Sequence, residues 1–213
     1  MRITYAQNKM EVNNQKTTGI RALGPVNIQA LLERLDALMW DTPEDFDANY
    51  NKNDRGALRK TQHVILRFAD KRGDKIHYKN TSRWNSWKSV LLPIMDAATE
   101  VYAYQQGFYP KVMLAKLPAN QFIPPHIDGG IKGYVPHKIH VPLLTNEKAF
   151  FFLDKERHHL EAGHAYEVNN GQRHSVVNGG DSDRIHLIFE YLNAELQPTY
   201  IQNQIKLLDS SGN

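Results

Sequence analysis

His126, Asp128 and His174 have the residue types and the spacing of a metal site. His126 and Asp128 lie two apart in extended sequence, so strand alternation places one imidazole and one carboxylate on the same face. His174 follows 46 residues after Asp128 and completes a set of two histidines and one carboxylate. Three ligands on one side of a metal leave the other positions open, an arrangement that suits non-haem Fe(II) holding a chelating cosubstrate and dioxygen. Arg184 comes ten residues after His174, in the apolar run R-I-H-L-I-F-E-Y. A guanidinium in a buried strand requires an anion, because an unpaired buried charge is costly. A dicarboxylate would supply one through a bidentate pair. The H-x-D pair alone is weak, since it recurs by chance; the downstream histidine and arginine give it weight.

In order along the chain stand H-x-D (126–128), Lys138-x-His140-x-Pro142-Leu143, Gly163 with Asn169 six residues on, His174-x-x-x-Asn178, and Arg184-x-His186-L-I-F. This succession resembles the 2-oxoglutarate- and Fe(II)-dependent oxygenases, and within them the aspartyl/asparaginyl β-hydroxylase-like branch that includes bacterial proline hydroxylases. The resemblance covers residues 110–192. It implies Fe(II) on His126, Asp128 and His174, and 2-oxoglutarate chelating the iron while Arg184 holds its far carboxylate. It also implies hydroxylation of an unactivated C–H bond of an amino acid or of an aspartyl/asparaginyl-type side chain, with release of succinate and CO2. His140 matches the family's cosubstrate-contacting histidine. Lys138 stands where the family often has arginine; a lysine is a point charge with no planar fork, so it either contacts the cosubstrate or snorkels to solvent. His186 either supports Arg184 or is an interior histidine. A nucleic-acid demethylase of the same superfamily would carry a second arginine six residues after the first, where this chain has Glu190. A non-catalytic cupin-like binding protein would present H-x-H followed by glutamate. A jelly roll without metal would leave the three ligands coincidental.

Positioning these residues requires strands. From about residue 110, short apolar runs alternate with Pro, Gly and Asn turns, including a Gly129-Gly130 turn, at roughly ten-residue spacing, the pattern of an all-β sandwich or barrel. The expected fold is mainly β: a double-stranded β-helix (a cupin-like jelly roll) over 110–192, with N-terminal helices packed on one sheet. Residues 1–109 form a supporting helical and strand region, and 193–213 a C-terminal tail, all in a single domain. Gly24-Pro25 opens an expected helix through Ile28, Leu31, Leu32, Leu35 and Leu38 to Trp40. A long loop is expected over 41–60, a strand at 63–68, a turn at 71–75, and a second helix within 85–106, closed by Gly107. Pro93 either kinks that helix or marks its start, and Trp84 and Trp87 read as packing residues. His63, His77, His137, His158, His159 and His164 lack ligand-like spacing. Asn169 and Asn178 flank His174 and read as turn formers or as hydrogen-bonding residues that orient it.

At 213 residues, with 41% apolar and 23% charged, the chain has an ordinary globular composition. The net charge of +3 comes without a run of basic residues, which argues against nucleic acid. There is no cysteine, so metal ligation falls to His, Asp and Glu. No apolar stretch has membrane-spanning length, and the first residues lack an export core, so a cytoplasmic enzyme is expected. Its expected partners are dioxygen and a small-molecule or peptide substrate, with the modest size leaning toward a small molecule. Oligomeric state is not legible.

Overall fold

The structure, a computed structural model, describes residues 16–41, 60–72, 75–128 and 136–210. The expected 41–60 loop, except for its end residues, and the Gly129-Gly130 turn lie outside the described residues, as does the centre of the 71–75 turn.

Twelve strands build two antiparallel sheets among the described residues. They are β1 (Ile20–Pro25), β2 (Gln62–Arg72), β3 (Lys75–Asn80), β4 (Gly107–Phe108), β5 (Val112–Leu117), β6 (Gln121–His126), β7 (His137–Leu144), β8 (Ala149–Leu153), β9 (Glu156–His158), β10 (His164–Val168), β11 (His174–Asn178) and β12 (Arg184–Asn193). The large sheet runs β1-β10-β7-β12-β5-β2-β3, with β4 paired to β12; the small sheet runs β6-β11-β8-β9. Strands from before residue 109 thus extend both edges of the large sheet. No closed barrel forms among the described residues.

Side-chain alternation divides the interior in two. On one face of the large sheet, Ile139, Val141, Leu143, Leu187, Phe189 and Tyr191 pack against the long helix. On the other, Leu117 and Val168 meet Phe151, Leu153 and Val176 of the small sheet. The second layer lies between the sheets, and the candidate ligands sit at its rim. β12 lies centrally between β7 and β5 and is buried on both faces, which explains why its sequence is almost continuously apolar.

Helix α2 (Trp84–Thr99) buries Trp84, Trp87, Leu91, Ile94, Met95 and Ala98, one stripe at helical spacing. Both tryptophans are packing residues, each under a guanidinium: Arg67 lies 4.3 Å from the Trp84 ring and Arg34 4.4 Å from the Trp87 ring. Pro93 is inside the helix, on its exposed side, where water can serve the carbonyl that loses its partner. The helix tightens into a 3-10 turn at Glu100–Tyr102 and stops at Ala103 in the left-handed conformation, φ 53°. Gly107 is therefore not its terminator. A Cβ on Gly107 would lie 2.0 Å from the Tyr191 hydroxyl, so the glycine makes room for that ring.

The helix expected from Gly24 to Trp40 is a further correction. Residues 20–25 form β1, paired to β10. Helix α1 covers only Gln29–Leu32, and a 3-10 turn follows at Leu35–Ala37. Leu31, Leu35 and Leu38 are nonetheless buried, as their spacing demanded. The helix is cut short because its ends are claimed elsewhere: Asp41 bridges to His63 and forms a two-bonded ion pair with Arg83, drawing the chain into extended geometry. The expected C-terminal tail is likewise structured. Helix α3 (Thr199–Ser210) lays Ile201 and Ile205 against Ile76, Tyr78, Phe108 and Leu192. No helix among the described residues is long and apolar enough to cross a membrane.

Candidate metal centre

His126 ends β6 and His174 begins β11, and the two are paired in register across the small sheet. Asp128 lies just past the end of β6, two residues beyond the strand that was expected to carry it. The ligand atoms of the three residues all fall within 4.8 Å of one another. Asp128 Oδ1 is 3.5 Å from His126 Nε2 and 3.6 Å from His174 Nε2.

The surrounding hydrogen bonds leave these three atoms facing one point. His126 Nδ1 lies 2.8 Å from the Pro124 carbonyl, and His174 Nδ1 lies 2.9 Å from the Gln172 carbonyl. A carbonyl can only accept, so each Nδ1 carries the proton and each Nε2 presents a lone pair, the tautomer a metal requires. Asp128 Oδ2 accepts from Asn170 Nδ2 at 3.0 Å and faces Lys138 Nζ at 3.2 Å, which leaves Oδ1 for the metal. Burial acts to raise the Asp128 pKa, but Lys138 and the histidines outweigh it and hold the carboxyl well below its usual range. Burial lowers that of His174; hydrogen bonding to the Asp128 carboxylate raises that of His126. The Phe151 ring stacks on His174 at 5.5 Å and 9°, fixing its plane. Two imidazoles and an ionised carboxylate are a donor set consistent with a facial Fe(II) site.

Behind the triad lies a second polar group. Arg184 is buried, and no carboxylate pairs with it among the described residues; Nη2 donates to His186 Nδ1 at 3.2 Å. Burial lowers its pKa to about 9, so it stays cationic at neutral pH. His140 packs edge-on to Phe151 at 5.8 Å and lies 5.8 Å from the His186 ring. Burial drives both histidines well below their ordinary pKa, so they are neutral. His140 Nδ1 and His186 Nε2 are buried without a hydrogen-bond partner. A lone buried cation flanked by unsatisfied nitrogens is the environment a carboxylate ligand would complete.

Lys138 Nζ reaches Asp128 Oδ2. His186 does support Arg184. Asn178 ties the Leu117, Pro118 and Ser182 carbonyls together and does not touch His174, while Asn169 closes its own turn onto Gly171. The asparagine that contacts a ligand is Asn170, which was not singled out; its place in the turn just before His174 was the available signal. His137 belongs to a buried network on the helix side of the large sheet. Its Nδ1 is 2.6 Å from Glu167 Oε1, which shares its carboxylate with Arg21, and its Nε2 is 2.6 Å from the Tyr104 hydroxyl. Among the described residues, no other group of His, Asp or Glu could hold a metal.

Residues 99–194 match the model of the aspartyl/asparaginyl beta-hydroxylase family. No curated protein matches the chain. Among solved structures, an oxidoreductase of the 2OG-Fe(II) oxygenase family from Burkholderia pseudomallei superposes with a TM-score of 0.58 at 13% identity, covering 88% of this chain and 89% of that one. A prolyl-4-hydroxylase from Pseudomonas putida is similar at a TM-score of 0.43 and 16% identity, over 82% of this chain and 92% of the other. A viral collagen prolyl hydroxylase from Paramecium Bursaria Chlorella virus-1 gives 0.41 and 11%, over 73% and 97%. The chain has the fold of the 2-oxoglutarate/Fe(II) oxygenase superfamily, with a match to the aspartyl/asparaginyl beta-hydroxylase family and the His-Asp-His triad typical of that branch.

Proposed function

We propose that this protein is a 2-oxoglutarate- and Fe(II)-dependent dioxygenase that hydroxylates an amino acid or an aspartyl/asparaginyl-type side chain. The observation that carries the reading is the pairing of two half-sites: a His-Asp-His set with its outer nitrogens satisfied, and behind it a buried Arg184 that pairs with no carboxylate among the described residues. In this reading His126 Nε2, Asp128 Oδ1 and His174 Nε2 hold Fe(II). Arg184 and His140 receive the far carboxylate of 2-oxoglutarate, and Lys138 steadies Asp128 beside them. With its cosubstrate and dioxygen, Fe(II) would supply C–H hydroxylation coupled to release of succinate and CO2. The protein's contribution is orientation and exclusion of water: Phe151, Leu153 and Val176 wall the interior next to His174, and the fixed Arg184 charge selects a diacid. Residues 110–192 are the proposed catalytic core, a double-stranded β-helix in which the two sheets enclose the site. The flanking strands and helices support it within a single domain.

The test is turnover by protein loaded with Fe(II), given 2-oxoglutarate and air, against a panel of free amino acids and short Asp- and Asn-containing peptides. Succinate and a product 16 mass units heavier should appear together for one substrate class and vanish in His174→Ala. Iron-loaded protein that neither binds nor consumes 2-oxoglutarate would contradict the proposal.

A further inference from the structure

Besides Lys138, whose Nζ lies 3.2 Å from its Oδ2, Asp128 is held by Asn170. Its backbone N–H donates to the Asn170 carbonyl at 3.1 Å, and its Oδ2 accepts from Asn170 Nδ2 at 3.0 Å. Asn170 is fixed in turn from the opposite direction, since Lys16 Nζ donates to its Oδ1. An ammonium can only donate and an ionised carboxylate can only accept, so these two partners leave the amide one orientation. Lys16 belongs to a short arm, residues 16–19, that runs along the turn after β10: Asn169 N–H donates to the Gly19 carbonyl, and Asn169 Nδ2 donates to the Thr18 carbonyl. That turn leads to His174 four residues later. One turn therefore grips the carboxylate ligand and delivers the second histidine, joining ligands from two separate stretches of chain.

We propose that Asn170, locked by Lys16, is a positioning residue that, sharing Oδ2 with Lys138, keeps Asp128 a one-oxygen ligand and aims Oδ1 at the metal. The inference rests on the metal-centre reading above. A carboxylate free to turn could chelate through both oxygens and take up a position needed for cosubstrate or dioxygen. Outer hydrogen bonds to ligands typically alter metal affinity by about 10- to 100-fold. Lys16 lies outside the stretch that matches the family model, so this control of the site comes from the N-terminal arm.

The experiment is titration of Co(II) into metal-free protein without 2-oxoglutarate, well below the unfolding temperature, for wild type, Asn170→Ala and Lys16→Met. Asn170→Ala keeps the backbone bond to Asp128 and loses only the amide, so its Co(II) affinity should fall about 10- to 100-fold. Lys16→Met keeps the amide and loses its anchor, so a fall of about 2- to 10-fold is expected, the worth of one hydrogen bond. A merely structural role would lower the unfolding temperature and leave the affinity of the folded protein alone. Asn170→Ala that folds and binds Co(II) within about twofold of wild type overturns the proposal. If that variant does not fold, an unchanged affinity in Lys16→Met overturns it. Wild-type protein that binds no Co(II) sinks the metal-centre reading itself.

Discussion

Each ligand of the triad has a single atom left to offer, and this makes the residue-scale predictions sharp. Asp128→Ala removes the only carboxylate among the three, so Co(II) affinity should drop by more than about 100-fold, beyond the cost of losing an outer partner. Equilibrium dialysis measures it, and stoichiometric tight binding in that variant would show that the metal is held elsewhere. The triad was legible in the sequence because residue type and spacing carry the information: H-x-D, a later histidine, and an arginine on a buried strand. Asn170 and Lys16 were not legible, because nothing local relates Lys16 to residue 170. Their approach is set by β1 pairing with β10, a tertiary fact. For Lys138, alternation fixes only the face; its ion pair with Asp128 Oδ2 is a tertiary contact that the sequence does not show.

At the scale of elements, β12 and α2 were readable and α1 and α3 were not. A continuous apolar run and a long helical stripe each bury enough surface to decide their own conformation. The 25–40 segment has a helical pattern too short to hold against strand pairing at one end and the Asp41 contacts at the other, since an isolated helix of that length is marginal. Helix α3 depends on two anchors, Ile201 and Ile205, which close a small core over β3 and β12. Ile201 is 2% exposed, so Ile201→Ala should cost about 2–5 kcal/mol, as for other buried aliphatic truncations. Urea unfolding measures it; a loss under about 0.5 kcal/mol would mean that α3 is not docked in solution.

For the whole molecule, buried neutral histidines predict acid lability. Burial lowers the pKa of His63 from 6.5 to about 4. The unfolded chain therefore binds a proton on this residue at a pH where the folded protein does not. Stability is fully present above about 6.5 and declines as pH falls toward 4, by about 3 kcal/mol in all. His140 and His186 are shifted the same way by burial and add to the slope. Burial works against ionisation of Glu167, but the His137 hydrogen bond and Arg21 prevail and lower its pKa below 4.5; its contribution is lost only at still lower pH. His63→Gln should flatten the decline between pH 6.5 and 4 by up to one proton, measured by urea unfolding across that range. A parallel curve would contradict the burial seen here.

In the proposed function, Arg184 receives the far carboxylate of a diacid beside the His126–Asp128–His174 triad. Anaerobic isothermal titration of 2-oxoglutarate into Fe(II)-loaded wild type and Arg184→Ala tests it most directly. Wild type should bind one equivalent. The variant should retain its iron and lose about 3–5 kcal/mol of 2-oxoglutarate affinity, the cost of stranding one partner of a buried ion pair. Equal affinity in the two proteins would contradict the account.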